Sequence, residues 1–318
     1  MIEQQGGEQA VGAVPAPAAA QAGVLAARAV ATARARTKSH LRPDEVVFLW
    51  ISRLIIWVAI LAVVVPILLI AVASLTAGNS LLVTSVIPSN LSLEHWRNVF
   101  DPNQTSMLIW LRNSAIVAIS TSVLSVLLVA TTGYAFSRFR FYGKKYGLMA
   151  LLLMQMFPAQ MSFVALYFFL LKIGLLNTLQ GLILVFLGGG IPFNAWLFKG
   201  YVDGLPRDLE ESAYVDGATK WQAFWKVILP LTRPMMAVIF IFVTIGIYND
   251  YILTNFLISD PSKYTVAVGL RGFINQQFGQ NWNDFAAGAL LAALPITLLF
   301  LVAQRWLVSG LAAGAVKG

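Results

Sequence analysis

The sequence contains no cysteine, and only 11% of its 318 residues are charged. The absence of cysteine excludes disulfide bonds, thiolate nucleophiles and cysteine-ligated metal sites. The two histidines, His40 and His95, are isolated in segments predicted to lie outside a membrane, so neither indicates a metal site or a catalytic base. No G-x-x-x-x-G-K-[ST] loop, the motif that cradles nucleotide phosphates, occurs in the chain. The sequence therefore argues against an enzyme and against binding of ATP, a cofactor or a metal by this chain.

What the sequence has in excess is apolar residues. They make up 58% of the chain, and the mean hydropathy is +0.74. A soluble domain cannot keep its surface in water with so few charges. The formal charge of +8 could suit nucleic acid, but the basic residues lie between apolar runs rather than along one face. The composition therefore predicts an integral membrane protein that does not bind nucleic acid.

The apolar runs predict the number of membrane spans. A helix needs about 20 apolar residues to cross about 30 Å of hydrocarbon. Six stretches meet this requirement: Leu54–Ser74, Ser114–Phe136, Tyr146–Leu171, Leu179–Phe198, Met235–Ile258 and Phe285–Gln304. Pro158 interrupts the third stretch, and the second is rich in Ser and Thr. The predicted fold class is all-α and integral to a membrane, with six transmembrane helices.

The positions of the basic residues predict the orientation. Seventeen Lys and Arg residues fall in the two termini and the even-numbered loops, whereas five fall in the odd-numbered loops. The positive-inside rule therefore places both termini in the cytosol. Residues 1–45, which are rich in Ala, Gln, Gly and Pro, are interpreted as a disordered cytosolic tail, with a basic surface helix over residues 24–38 as the alternative. Residues 46–318 form the predicted transmembrane domain.

The loop between the fourth and fifth spans, residues 200–233, is too long for a simple linker. Pro206 suits the first position of a helix, and Gly217 can supply a left-handed stop. Thr219 can cap a second helix, which Pro230 would end. The loop is therefore predicted to contain a short helix, a tight turn and a second, amphipathic helix on the cytosolic surface.

The two faces of these helices differ in polarity. Asp208, Glu210 and Glu211 favour the positive end of the first helix dipole, and we expect these acids and the small residues to face outward. The apolar side chains are expected to pack on the helix bundle; they are Leu209, Ala213, Trp221, Phe224, Trp225 and Ile228. The hydrophobic pattern alone would also suit an ordinary amphipathic helix at the membrane surface.

The polar residues of this loop carry a more specific pattern. Glu211, Ser212 and Ala213 are followed by the triplet DGA at 216–218 and by the dipeptide LP at 229–230. This spacing resembles the EAA loop of ABC importer permeases, with Ser212 in place of the usual alanine. The resemblance implies that the first helix docks into an ATPase subunit and passes its movement to the membrane helices. The residues assigned to ATPase coupling are Glu210, Glu211, Ser212, Ala213, Asp216, Gly217 and Ala218.

Further segments extend the resemblance to residues 45–318. The tetrapeptide YNDY at 248–251 is similar to the aromatic-Asn-acid-aromatic signature of carbohydrate-uptake permeases. Residues 264–318, and the segments QMFP at 155–158 and VALY at 164–167, resemble the G-type subunit of maltose/maltodextrin transporters. The N-terminal tail has no counterpart in this pattern.

The resemblance implies a multi-pass subunit of the bacterial cytoplasmic (inner) membrane that imports maltose-type oligosaccharides. Its expected partners are a second, F-type permease, two ATPase subunits that bind ATP and Mg, an extracytoplasmic sugar-binding protein and membrane lipid. Trehalose or another disaccharide is the alternative substrate, and an ion-coupled sugar carrier is the alternative mechanism. An outer loop is expected to contact the binding protein through Phe273, Asn275, Gln276, Gln277 and Gly279.

One acid lies well inside a predicted span. Asp250, next to Tyr248 and Asn249, either lines the sugar path or pairs with groups inside the bundle, because an ionisable group in a membrane needs a partner or water. These three residues are the candidate translocation path. Gly188–Gly190 in the fourth span indicate close helix packing or, alternatively, a functional break. Gln155 and the hydroxyls of the second span are interpreted as interhelical hydrogen-bonding groups, with the lining of a water-filled path as the alternative.

Overall fold

The computed structural model describes residues 43–78, 90–103, 105–274 and 281–315, and within these ranges the chain is helical without β-strands. Its contacts divide it into two units, Met1–Val65 and Pro66–Gly318. Nearly all of the predicted tail, residues 1–42, lies outside the described residues, so its disorder stays a prediction. The predicted all-α class is confirmed for the described part of the chain.

The described residues form twelve named helices in chain order. They are α1 Pro43–Ser74, α2 Glu94–Phe100, α3 Met107–Arg138, α4 Lys144–Met154, α5 Phe163–Lys172, α6 Leu179–Asp203, α7 Asp208–Val215, α8 Lys220–Leu231, α9 Arg233–Tyr248, α10 Ile252–Leu257, α11 Val266–Arg271 and α12 Trp282–Ala315. Single 3₁₀ turns at Ala159–Ser162 and Pro261–Lys263 precede α5 and α11. Each of the six predicted spans overlaps one or two of these helices.

Four continuous segments are long and apolar enough to cross a membrane by themselves: Asp44–Ser74, Met107–Arg138, Leu179–Asp203 and Trp282–Gln304. Two further candidates are helix pairs that bend sharply, by 89° between Lys144–Met154 and Ala159–Lys172 and by 73° between Lys220–Leu231 and Arg233–Tyr248. The described chain therefore offers between four and six spans. The count of six stays a prediction.

The third predicted span breaks where the sequence predicts an interruption. The N–H of Gln155 bonds to Leu152 O at the end of α4, and Pro158, which has no N–H to donate, opens the next turn. The Gln155 side chain donates to Gly189 O over 2.6 Å, which confirms its interpretation as an interhelical hydrogen-bonding group. Apolar side chains on both sides of the bend are exposed, among them Met154, Met156, Phe157 and Met161.

The core is built around α3, which packs along α6 and α9. One buried cluster lies towards the start of α3 and another towards its end, around Val129, Tyr134, Phe198 and Phe224. Hydroxyls join the helices inside these clusters: Thr244 donates to Ser122 Oγ over 2.8 Å. The interpretation of the second span's hydroxyls as interhelical hydrogen-bonding groups is confirmed at Ser122. It is not confirmed at Thr131, which bonds within its own helix, or at Thr121, whose buried hydroxyl has no partner among the described residues.

The expectation that His95 is isolated is wrong. His95 is buried in α2, with Nδ1 at 2.7 Å from Asp284 Oδ1 and Nε2 at 3.0 Å from Thr76 O. Asn98 also donates to Asp284 Oδ1, over 3.2 Å. Because Asp284 lies in the first turn of α12, this network ties α2 to the last helix and to the end of α1. The contact could not be predicted from local sequence, because His95 and Asp284 are 189 residues apart.

Candidate coupling surface and membrane cavity

The first helix of the predicted coupling loop ends as its sequence predicts. Gly217 has φ of +84°, a left-handed conformation that only glycine adopts without strain. Its N–H bonds to Tyr214 O, and the N–H of Ala218 bonds to Ala213 O, which is the pair of bonds of a Schellman motif. The helix α7 therefore ends rigidly at a turn of fixed direction.

The second helix begins directly after this turn. Thr219 Oγ1 accepts from the N–H of Gln222, and the Gln222 side chain accepts from the N–H of Thr219, so the predicted cap is confirmed as a full capping box. One sequence expectation is wrong in detail, because Pro206 precedes α7 rather than starting it. The helix α8 ends at Leu231, one residue after Pro230, close to the predicted end. A π-turn at Phe224–Ile228, in which Leu229 N–H bonds to Phe224 O, lies just before the proline.

Fewer apolar side chains of the helix pair α7 and α8 are buried than their apolar pattern suggests. Phe224 and Ile228 are buried, and the Phe224 ring centroid lies 4.8 Å from that of Tyr134 on α3. Leu209, Trp221 and Trp225, which were expected to pack on the bundle, are instead 40%, 61% and 40% exposed. A helix stripe that touches one neighbouring element can bury only its central residues. The outer apolar side chains remain free to contact lipid or another subunit.

The expectation that Glu210 faces outward is wrong. Its side chain is buried, and Oε1 accepts from Nε of Arg138 over 2.6 Å. Oε2 accepts from the hydroxyls of Tyr134 and Tyr214, over 3.2 and 3.4 Å. Arg138 also donates from Nη2 to Leu205 O over 3.0 Å. Burial of the carboxylate is tolerated because a cation and two hydroxyls satisfy it.

The other residues assigned to ATPase coupling differ in their exposure. Glu211, Ser212 and Asp216 are exposed together with Gly217, while Ala213 and Ala218 are half-buried. Between them Val215 is 88% exposed, an apolar side chain that sequence reasoning did not single out. We call the patch formed by Glu211, Ser212, Val215 and Asp216 the coupling surface. It presents two acids around one apolar residue on a helix whose end is fixed.

Arg138 is a buried charged residue whose contacts sequence reasoning missed. It was counted only as one of the basic residues that set the orientation, yet it pairs with Glu210 on α7. Its position as the last residue of α3, directly before the second loop, is typical of a charge at a membrane boundary and gives no sign of a buried partner.

The three residues of the candidate translocation path have separate environments. Tyr248 is buried, and its hydroxyl donates to Ala292 O over 2.8 Å, so this residue joins α9 to α12. Asn249 is exposed and donates to Ile245 O within its own helix. Only Asp250 reaches the membrane cavity described next.

Asp250 lies in the break between α9 and α10. Its Oδ1 accepts from both the N–H and the hydroxyl of Thr254, each over 2.9 Å, and so caps the first turn of α10. Among the described residues none donates to Oδ2. One carboxylate oxygen therefore supports the chain, and the other is available to a ligand or to water.

A membrane cavity of about 660 Å³ lies between α3, α5, α6 and α9, and Asp250 is on its wall. Its other polar groups include Ser125 and Ser162, and its apolar wall includes the rings of Phe163, Phe169 and Phe186. The volume lies within the range of ordinary small-molecule sites. The cavity thus combines one carboxylate and two hydroxyls with aromatic faces.

Four glycines line the same cavity: Gly188, Gly189, Gly190 and Gly246. A Cβ added to Gly188, Gly189 or Gly246 would meet no atom within 4 Å, and one at Gly190 would meet only the Asn194 side chain, at 3.7 Å. The interpretation of Gly188–Gly190 as a close packing contact is therefore wrong within the described chain. The functional break is also absent, because α6 continues through all three.

The outer loop is only partly described. Phe273, expected to contact a binding protein, is buried, and its ring meets Trp110 edge-on with centroids 6.3 Å apart. It packs against the bundle, and its contact with a binding protein stays a prediction. Asn275, Gln276, Gln277 and Gly279 lie outside the described residues. Over the described ranges no three potential metal ligands come together.

These features define a class of protein: a helical membrane protein with a cavity between its helices and a rigidly capped helix pair. The comparison with family models agrees. Residues 46–312 match the family described as "Binding-protein-dependent transport system inner membrane component".

Relatives of similar length support this match. The chain is 44% identical over 287 residues to the maltose/maltodextrin transport system permease protein MalG of Vibrio vulnificus strain YJ016, covering 85% of this chain and 96% of the relative. It is 41% identical over 249 residues to the galactooligosaccharides transport system permease protein GanQ of Bacillus subtilis strain 168, covering 78% and 88%. A chain from the crystal structure of a bacterial ABC transporter that imports alginate has the same fold, with a TM-score of 0.68 at 21% identity over 85% of this chain and all of the other.

The chain therefore belongs to the family of inner membrane components of binding-protein-dependent transport systems. It is a permease subunit of an ABC importer in the inner membrane, and it is a transporter subunit rather than an enzyme.

Proposed function

We propose that this chain is one of two permease subunits that carry maltodextrin-type oligosaccharides across the inner membrane, driven by partner ATPases. The observation that carries the proposal is the 44% identity, over nearly the whole length, to a maltose/maltodextrin permease. ATP and Mg would be bound by the partner ATPases, and sugar would arrive from an extracytoplasmic binding protein.

The coupling surface supports the ATPase part of the proposal. Glu211, Val215 and Asp216 are exposed on a helix that ends in a Schellman motif and is followed by a capping box. A rigid, outward-facing helix can pass the closure of an ATPase dimer to the bundle as a rigid-body shift. An amphipathic helix that only lies on the membrane surface would need neither the fixed turn nor the exposed acids.

The galactooligosaccharide relative favours a second candidate substrate within the same class. Its identity of 41% is close to that of the maltodextrin relatives, although it covers less of the chain. Both substrates are uncharged chains of hexoses, so one cavity of moderate polarity can suit either. The alternatives differ in the sugar and not in the mechanism.

The substrate is tested by measuring ATPase activity of the reconstituted complex with its binding protein. We expect maltose and maltotriose to stimulate hydrolysis about tenfold, and trehalose and galactooligosaccharides to stimulate it less than twofold. Stimulation by galactooligosaccharides alone would assign the second candidate. ATP-independent uptake that collapses with the proton gradient would contradict the whole proposal and indicate an ion-coupled carrier.

We propose the orientation with both termini, and the coupling surface, in the cytosol, as the basic residues predict. A reporter inserted after Lys145 or Arg207 should then give a cytosolic signal. A reporter at Asn103 or Ser262 should give an extracytoplasmic one. A cytosolic signal at Ser262 would contradict the six-span arrangement, because the last loop would be inverted.

We further propose that the membrane cavity is part of the sugar path. Sugar hydroxyls can donate to the free Oδ2 of Asp250, and the faces of Phe163, Phe169 and Phe186 suit the apolar faces of a hexose ring. Gly188, Gly189 and Gly246 leave the wall without side chains, although glycine in a helix costs about 1 kcal/mol relative to alanine. The glycines would leave open space for a passing ligand, which would explain why residues that destabilise a helix occur here.

Asp250→Asn tests this assignment. The amide oxygen can still accept from Thr254, so α10 keeps its cap and the complex should assemble in full. The charged Oδ2 is lost, and a hydrogen bond to a charged group contributes about 1.5–3 kcal/mol, so we expect uptake per assembled complex to fall about tenfold or more. Uptake and the amount of assembled complex are measured on the same preparation.

Thr254→Val is the matched control. It removes the hydroxyl that Asp250 holds, at a cost of about 1 kcal/mol, and leaves the free oxygen in the cavity. We expect it to lower the amount of folded protein slightly, with unchanged uptake per complex. Equal uptake by Asp250→Asn and wild type would remove Asp250 from the path.

A further inference from the structure

The buried face of α7 carries a charge pair that the coupling surface does not use. Arg138 Nε lies 2.6 Å from Glu210 Oε1, and the two side chains are only 7% and 6% exposed. Each partner makes further bonds, Glu210 to the hydroxyls of Tyr134 and Tyr214 and Arg138 to the carbonyl of Leu205. We call Arg138, Glu210 and Tyr134 the clasp.

The clasp connects three elements at one end of the bundle. Tyr134 and Arg138 belong to the last turns of α3, Leu205 lies in the turn after α6, and Glu210 lies on α7. The Arg138 guanidinium therefore links the end of α3 both to the turn before the coupling helix, at Leu205, and to the coupling helix itself, at Glu210. Ser137, next to Arg138, also donates to Asp203 Oδ1 over 2.6 Å at the end of α6.

The two adjacent glutamates of α7 point in different directions, and the clasp holds the first of them inward. Successive residues of an α-helix point about 100° apart, so Glu210 can face α3 while Glu211 faces outward. A helix of eight residues has little intrinsic stability, and its position depends on tertiary contacts. A buried ion pair with satisfied hydrogen bonds is directional, whereas apolar packing alone would let the helix slide or rotate.

We propose that Arg138 and Glu210 are positioning residues that make α3 move with the coupling helix during transport. The inference rests on the proposed function, because it concerns how an ATPase-driven movement reaches the membrane. Helix α3 packs on α6 and α9, and its Ser125 is part of the cavity wall. A displacement of α7 is thereby transmitted through the clasp to the cavity, without any contact between Glu210 and the ATPase.

The test uses the complete complex of permeases, ATPases and binding protein in proteoliposomes. Three quantities are measured for each variant: assembled complex, sugar-stimulated ATP hydrolysis, and sugar transported per ATP hydrolysed. For Glu210→Gln and Arg138→Gln we expect ATP hydrolysis to persist while sugar transported per ATP falls at least fivefold. A merely structural role would lower the amount of complex and leave that ratio unchanged, which would overturn the proposal.

Lys199→Gln is the matched control. Lys199 pairs with Asp203 on neighbouring α6. Asp203 also accepts from Ser137, beside Arg138, but the Lys199–Asp203 pair is partly exposed and neither residue belongs to α7. Surface pairs of this kind contribute little, so the ratio should stay within a factor of 1.5 of wild type. The double variant of Arg138 and Glu210, both to Gln, leaves no unpaired buried charge. It should recover assembled complex but not the transport ratio.

Tyr134→Phe covers the case in which the Gln variants do not assemble. It removes one hydrogen bond to Glu210 and keeps both charges, so assembly should be complete and the ratio should fall about twofold. A ratio equal to that of the Lys199→Gln control would overturn the proposal. If wild-type complex shows no ATP-dependent uptake at all, the proposed function fails, and that outcome is separate from failure of the clasp.

Discussion

Gly217→Pro is expected to abolish uptake while the helix bundle stays folded. Proline requires φ near −65°, whereas this residue has φ of +84°, and the substitution also removes the N–H that bonds to Tyr214 O. The turn between α7 and α8 must then change direction, at a cost of about 3 kcal/mol or more. Because the coupling surface lies immediately before this turn, it would no longer be held in its orientation.

The measurement is ATPase co-purification together with sugar uptake. Gly217→Ala keeps the N–H and strains the left-handed conformation by about 1 kcal/mol, so it should retain partial uptake and separates strain from loss of the turn. Wild-type ATPase binding and uptake in the Gly217→Pro variant would show that the coupling assignment is wrong. Nothing within 4 Å meets an added Cβ at this position, so a steric clash does not explain a loss of uptake in the Gly217→Ala variant.

Gly133→Val is expected to disrupt the bundle itself. A Cβ at Gly133 would lie 2.9 Å from Ala195 O, 2.9 Å from Phe198 Cδ1 and 3.1 Å from Lys199 N. Two of these atoms belong to the α6 backbone and cannot turn away, so α3 and α6 must separate. Overpacking of this kind costs about 1–3 kcal/mol, and we expect the upper end, about 3 kcal/mol, because the branched side chain adds two more methyl groups.

The free energy of unfolding in detergent measures this effect. Gly200→Val is the matched control, since it lies on α6 near the same contact and an added Cβ there meets no atom within 4 Å. We expect this control to stay within 0.5 kcal/mol of wild type, as surface substitutions usually do. Equal stability of the two variants would contradict the close approach of α3 and α6 at Gly133.

Local sequence signals predicted the coupling loop well because the forces that shape it are local. Gly217 and Thr219 act on backbone groups within four residues, so their roles follow from residue type and spacing. The outward position of Glu210 was predicted wrongly for the same reason. An argument from the helix dipole considers only the helix that carries the acid. The cation that pairs with buried Glu210 is Arg138, which lies 72 residues away in the sequence.

The membrane segments show the same division. Each predicted apolar stretch coincides with one or two helices of the described chain, because burial in lipid demands about 20 apolar residues regardless of the neighbours. Pro158 predicted an interruption of the third stretch, but neither the size of its bend, 89°, nor the break at Asn249–Tyr251 in the fifth stretch was predicted. Whether a helix continues past a proline or a polar residue depends on which groups nearby can satisfy the freed backbone bonds.

The sequence by itself determined the membrane class, the positions of the apolar segments, the turn at Gly217 and the resemblance to a permease family. Each of these depends on composition or on interactions over a few residues. Only the tertiary structure decided that Glu210 and Arg138 form a clasp, that Tyr248 joins α9 to α12, and that Asp250 lies on the wall of a glycine-lined cavity. These arrangements depend on which helices pack together. Residues that lie far apart in the chain leave no local sequence pattern from which their contact could be predicted.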